Sequence, residues 1–190
     1  MERMERMLTV GQRSNPSVLN LVLIVIITLV IIVYTIISLG TGDWMWFSNR
    51  FAETPNGVIV HCFGNTIEFD PGSYHFGALA KILNETMSGE KRYDPLSMSF
   101  ETYQDYQQNP GMVAIEFYYP APVRVHSGYK FFSSVDNLVV PLEGRHAQTN
   151  AIFGQNNGVP TSGSLHVDST EPLKQYLRNQ KICQVAASAQ

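Results

Sequence analysis

The sequence predicts one N-terminal transmembrane helix followed by a single extracytoplasmic domain of the α+β class, with a mainly antiparallel sheet and two or three helices. Three observations carry this expectation: an uncharged apolar run near the N-terminus, short β-rich segments separated by turn residues, and apolar positions at spacings of three and four between them. Strands interrupted by segregated helices are the pattern of an α+β layer fold. At 190 residues the chain has room for the span and one domain of ordinary size.

The membrane segment comes first. No charged residue occurs from Ser14 to Gly42, and Val18 to Leu39 reads VLNLVLIVIITLVIIVYTIISL. At about 1.5 Å rise per residue, some 20 apolar residues cross a hydrocarbon core of roughly 30 Å. Ile and Val weaken helices in water by tenths of a kcal/mol, but an unpaired amide in lipid costs several, so the helix wins. Arg3, Arg6 and Arg13 precede the run and only Arg50 follows it closely, which predicts a cytoplasmic tail at 1–17 and an exported remainder. Trp44, Trp46 and Phe47 suit the outer headgroup region. Ser38 and Gly40 resemble a signal-peptidase site, but a secretory apolar core runs about 7–15 residues and this one is longer, so an uncleaved anchor at the cell membrane is expected. The span holds no His, Cys, Met or charged residue, which argues against intramembrane haem ligation or a proton relay. An ordinary lipid-facing anchor is expected, with a face of Thr28, Thr35 and nearby Ser38 for a neighbouring helix as the alternative.

Residues 40–55 read as a membrane-proximal linker and 56–190 as the domain. Val58–Phe63 and Thr66–Phe69, separated by Gly64-Asn65, predict a hairpin. Asp70 as N-cap with Pro71 at the first helical position predicts a helix whose stripe is Phe76, Leu79, Ala80, Leu83 and Met87, ending near Gly89. Ser99–Gln108 predicts a more polar helix, stopped by Asn109-Pro110-Gly111. Met112–Tyr119 is the clearest strand, with Val113, Ile115, Phe117 and Tyr119 on one face. Pro120-Ala121-Pro122 reads as a turn into a strand at Val123–His126. Shorter strands are expected at Tyr129–Ser133, Asn137–Pro141, Ala151–Phe153 and Ser164–Val167, with Pro141 at a sheet edge or turn. Glu171-Pro172 opens a final helix to about Ile182, with Leu173, Tyr176 and Leu177 on one side.

Thirteen Lys and Arg against sixteen Asp and Glu leave a net charge of −3, which gives no electrostatic case for nucleic acid. Cys62 and Cys183 could close a disulfide in an oxidising compartment, or stand as two buried thiols. His61 and Cys62, adjacent on a strand, point to opposite faces and cannot form a nucleophile–base pair. The five histidines show no metal-ligand spacing, and no metal or cofactor is expected. Ser164, His166 and Asp168 share a strand face by period two, which is not triad geometry. Gly154-Gln155-Asn156-Asn157-Gly158 lacks the phosphate-loop pattern and reads as a flexible surface loop. Arg145-His146 forms the most functional-looking loop. Tyr103, Tyr106, Tyr118, Tyr119 and Tyr129 could supply a recognition patch. Asn84-Glu85-Thr86 is a glycosylation sequon with meaning only in a glycosylating host.

These features favour a non-catalytic interaction domain held at the membrane, an accessory subunit of a membrane or envelope assembly. The partners expected are the lipid bilayer and a protein in or near it. The alternative is a membrane-tethered hydrolase with a site assembled from distant residues.

Overall fold

The computed structural model describes residues 17–128, 132 and 134–183. The tail before residue 17, Tyr129 and most of the strand expected at 129–133 lie outside the described residues. The chain divides into two units, Met1–Ile37 and Ser38–Gln190.

In the first unit, helix α1 (Val18–Thr41, continuing into the second) is long and apolar enough to cross a membrane. Its side chains are exposed from Val18 through Val33. Thr28 and Thr35 donate to the carbonyls of Ile24 and Ile31 at 2.8 and 2.7 Å, so neither hydroxyl needs a neighbouring helix to satisfy it.

The second unit is α+β: a seven-stranded sheet in the order β2-β1-β4-β5-β6-β7-β3, antiparallel at every junction, with helices on both faces. Its elements are β1 (Gly57–Cys62), β2 (Asn65–Phe69), α2 (Tyr74–Met87), β3 (Lys91–Asp94), α3 (Phe100–Gln108), β4 (Val113–Val123), β5 (Val135–Glu143), β6 (Ala151–Asn156), β7 (Val159–Val167) and α4 (Glu171–Asn179). Alternation along the strands makes two cores. Val58, Val60, Ile115, Phe117, Leu138, Val140, Ile152 and Leu165 face the layer of α2 and α4, joined by the α2 stripe and by Leu173 and Leu177. On the opposite face Ala114, Val139, Ala151 and Phe153 meet Met98 and Tyr106 from the α3 side. A sheet covered on both faces reads as continuous apolar strands, and this is why β4 and β5 are buried at successive positions.

Several boundaries differ from the sequence expectation, each for a local reason. Gly72 has φ 99°, outside the helical region, so α2 starts after it with Ser73 as N-cap, its hydroxyl accepting from the Phe76 amide at 3.2 Å. Asp70 is therefore not the cap. The first hairpin turns at Phe63-Gly64, both with positive φ as a type I′ loop requires, and Asn65 opens β2. β4 runs on through Pro120-Ala121-Pro122 to pair Val123 with Val135 across an irregularity, so that segment is no turn. Arg124–His126 belongs to no strand. Pro141 sits inside the central strand β5 rather than at an edge. Pro141 stays paired with Ala114 of β4 beside a register shift, and the ladder to β6 covers only Asn137–Val139, so a missing N–H at 141 breaks no bond to β6. The run 154–158 is the end of β6 and a turn, with Asn157 and Gly158 at φ 52° and 74°. β3 has no counterpart in the sequence expectation, and α4 stops at Asn179, short of Ile182.

Residues 40–55 are tied to the domain at several points. Phe51 is buried and exchanges two hydrogen bonds with the Ser88 hydroxyl, each 3.0 Å. Lys91 donates to the carbonyls of Asn49 and Met87 at 2.9 and 2.6 Å. Buried Asp43 takes the Met45 amide at 2.8 Å and His126 Nδ1 at 2.9 Å, while Arg124 reaches the Gly42 carbonyl.

Gly154 marks a close approach. A Cβ there would stand 2.6 Å from Val135 Cγ1 and 3.0 Å from the Phe132 ring. Gly154→Ala is expected to cost about 1–3 kcal/mol by overpacking, read as a lower urea midpoint at unchanged slope.

Candidate functional site

The face of the sheet under α3 carries a polar centre built on Glu116. Because Val113, Ile115 and Phe117 of β4 point to the main core, Ala114, Glu116 and Tyr118 must point the other way. The register sets Tyr118 opposite Asn137 and Asn137 opposite Gln155, while His61 of β1 lies opposite Ala114, one step along from Glu116. One turn of α3 brings Tyr103 and Gln107, four residues apart, down onto the same carboxylate.

Glu116 is fully buried and accepts from every side. His61 Nε2 lies 2.7 Å from Oε1, and Gln107 Nε2 reaches the same oxygen at 3.4 Å. Tyr103 donates to Oε2 at 2.7 Å, Asn137 Nδ2 at 2.9 Å, and Tyr118 donates there as well. Asn137 spends its remaining N–H on Gln155 Oε1 at 3.1 Å, and its own Oδ1 is buried without a partner. An ionised carboxylate only accepts, so His61 carries its proton on Nε2, with Thr66 Oγ1 3.2 Å from Nδ1.

The electrostatics follow from those contacts. Burial pushes the Glu116 carboxyl up, but the hydrogen bonds from His61, Tyr118, Tyr103 and Asn137 outweigh it and bring it down to about 2. Burial and the neighbouring carboxylate push the Tyr103 phenol up to about 12 and Tyr118 higher still. The centre is thus a fixed anion ringed by protonated donors. Above it lies a groove of about 400 Å³ lined by exposed Phe100, half-buried Tyr103, Tyr118 and Asp136, and buried Asn137 and Gln155. That volume falls within the usual range of small-ligand pockets.

The residues singled out in the sequence are placed differently. Cys62 and Cys183 are bonded to each other, their Cα atoms 5.3 Å apart, so neither is a free thiol. His61 lies on the sheet face opposite Cys62 and belongs to the Glu116 centre. Arg145 is exposed and reaches Thr102 Oγ1 at 3.3 Å. His146 is buried beneath α3, its amide donating to the Tyr106 hydroxyl at 2.9 Å and its ring against Phe153. Burial, with Arg145 adding to it, lowers the His146 pKa. Within this loop His146 is a packing residue, while Arg145 stays at the surface. Ser164 Oγ is buried with no hydrogen-bond partner, hence no contact to His166, and Asp168 lies beyond the strand. Of the tyrosines, Tyr103 and Tyr118 join the centre, Tyr106 is buried on the inner face of α3 in the smaller core and Tyr119 belongs to the main core. No cluster of three potential metal ligands occurs among the described residues.

Glu116, Asn137, Gln155 and Gln107 stand outside the sequence expectation. Glu116 carries a signal, since it is the one charge inside the apolar run MVAIEFYY. Gln155 carries one too: Asn157-Gly158 is a strong hairpin dipeptide, and reading it so turns 154–156 into strand. Comparison with family models, curated proteins and solved structures gives no match.

Proposed function

We propose that this chain is a single-pass membrane protein, N-terminus in the cytoplasm, whose extracytoplasmic domain binds a partner without catalysing a reaction, as an accessory subunit of a membrane or envelope assembly. The observation that carries the binding reading is the groove of about 400 Å³ over Glu116, whose polar groups are locked by hydrogen bonds to the buried carboxylate, and the direction of the pKa shifts at Glu116, Tyr103 and Tyr118 agrees with it. A general acid or base works best near the ambient pH, whereas here the carboxylate is driven down and the phenols up, away from neutrality. The groove therefore offers fixed hydrogen-bonding groups and aromatic surface. The apolar helix α1 supports the anchor, and the arginines before it support the orientation. The Cys62–Cys183 bond supports an oxidising compartment for the domain.

Two measurements test this on the full-length chain. Alkaline extraction is expected to leave the intact protein in the membrane pellet, with external protease reaching the domain in sealed, right-side-out membranes. Recovery of uncleaved protein in a detergent-free supernatant overturns the anchor. A photo-crosslinking residue at exposed Phe100 is expected to give a discrete adduct that the same probe at exposed Tyr74 does not. Substrate turnover by the detergent-purified chain, lost on Tyr118→Phe, would overturn the binding role in favour of a hydrolase.

A further inference from the structure

The hydrogen-bonding polarity of the groove narrows what it can hold. Tyr103 and Tyr118 each have one hydroxyl proton, and both protons are committed to Glu116 Oε2 below. Toward any other group these oxygens present only lone pairs, and that of Tyr103 already receives a Gln155 N–H. Asn137 has likewise spent both amide protons, on Glu116 and Gln155, leaving Oδ1 as a buried acceptor with no donor. At the rim, Asp136 adds a carboxylate whose Oδ2 takes the Asn157 amide. No lysine or arginine lines the groove among the described residues. An unpartnered buried acceptor, a surplus of lone pairs and three aromatic rings around a buried anion favour a guest that only donates and carries positive charge.

We infer that the groove between α3 and strands β4–β6 is a binding site for an alkylammonium group, seated among Phe100, Tyr103 and Tyr118 with Asp136 and Asn137 as acceptors. This deepens the proposed binding role and rests on it: the ammonium is that of a lysine side chain presented by the partner, and a free alkylamine shares the chemistry. An ammonium supplies three donors to a site whose own spare donors are confined to the Gln155 amide, and its alkyl stem lies against the rings.

The test uses full-length protein in a non-ionic detergent and ligand-observed NMR titration with n-butylammonium, N-acetyl-lysine N-methylamide and neutral n-butanol. Both cations are expected to bind with dissociation constants on the order of millimolar, and n-butanol about ten-fold more weakly or worse. Phe100→Ala and Asp136→Asn, both outside the buried network, are each expected to weaken cation binding about three-fold, and added salt to weaken it further. Tighter binding of the lysine amide than of n-butylammonium assigns the site to a protein side chain, and equal binding assigns it to a free amine. The inference falls if n-butanol binds as well as n-butylammonium, or if both variants leave cation binding unchanged. A crosslinked adduct at position 100 without cation binding would sink the ligand chemistry and leave the binding role standing.

Discussion

Opening the Cys62–Cys183 disulfide is expected to lower the stability of the domain by about 5 kcal/mol, a large share of the 5–15 kcal/mol typical of a folded domain. The bond joins residues 121 apart in sequence, and on the chain-entropy account a loop of that length is close to the largest effect one cross-link delivers. It fastens the end of β1 to the chain just after α4, so in the unfolded state it holds the two ends of the sheet domain together. The measurement is urea unfolding of the detergent-solubilised chain with and without a phosphine reductant, alongside Cys62→Ala/Cys183→Ala. The midpoint is expected to fall in both. The slope is expected to rise, because the released unfolded chain exposes more surface. An unchanged midpoint, with both thiols shown free by alkylation, would mean that the cross-link does not constrain the unfolded ensemble. Because the domain is expected outside the cytoplasm, the same loss is expected when the chain is produced in a reducing compartment.

What the sequence reveals and what it hides divide along a physical line. Periodic apolar patterns are legible: the α1 run, the Phe76–Met87 stripe, the Ser99-capped polar helix and the Val113–Tyr119 alternation all appear where spacing puts them. Local turn chemistry is legible only in part. Gly64 is recognisable as a turn residue, but the choice of Phe63 as the second left-handed position depends on Cys62 pairing with Asn65 across the hairpin. Pro141 misleads because the rule that keeps proline off interior strands concerns ladder bonds, and the β6 ladder ends at Val139. The Glu116 centre is hidden for another reason. Its members come from β1, α3, β4 and β5, and their meeting is set by strand order β1-β4-β5, which no local window contains. A lone glutamate in an apolar strand announces that something must satisfy it, without saying which donors will.

Replacing that glutamate is expected to be the most damaging single change on the α3 face. In Glu116→Gln the shape survives but one oxygen becomes an amide NH2, which faces either the Tyr103, Tyr118 and Asn137 donors or the His61 and Gln107 side chains. In either orientation the surrounding donors exchange an ionised acceptor for a neutral one, and charge-assisted hydrogen bonds are about twice as strong as neutral ones. A loss of about 3 kcal/mol at neutral pH is expected, as hydrogen bonds to a charged acceptor are replaced by weaker neutral ones. The pH dependence identifies the cause. A carboxyl lowered from 4.5 to about 2 on folding contributes stability that is fully present above its unfolded pKa and disappears as the pH falls toward its folded one. That contribution is on the order of 3 kcal/mol. The gap between wild type and Glu116→Gln should therefore stay constant above about pH 5 and narrow between pH 5 and 2, while the other carboxylates cancel in the comparison. Parallel stability curves across that window would show that Glu116 is not held ionised by its donors. Should Glu116→Gln fail to fold, Tyr118→Phe removes one donor only. It is expected to raise the Glu116 pKa and move the acid limb to higher pH, and an unmoved limb would likewise show that the donors do not hold the carboxylate ionised.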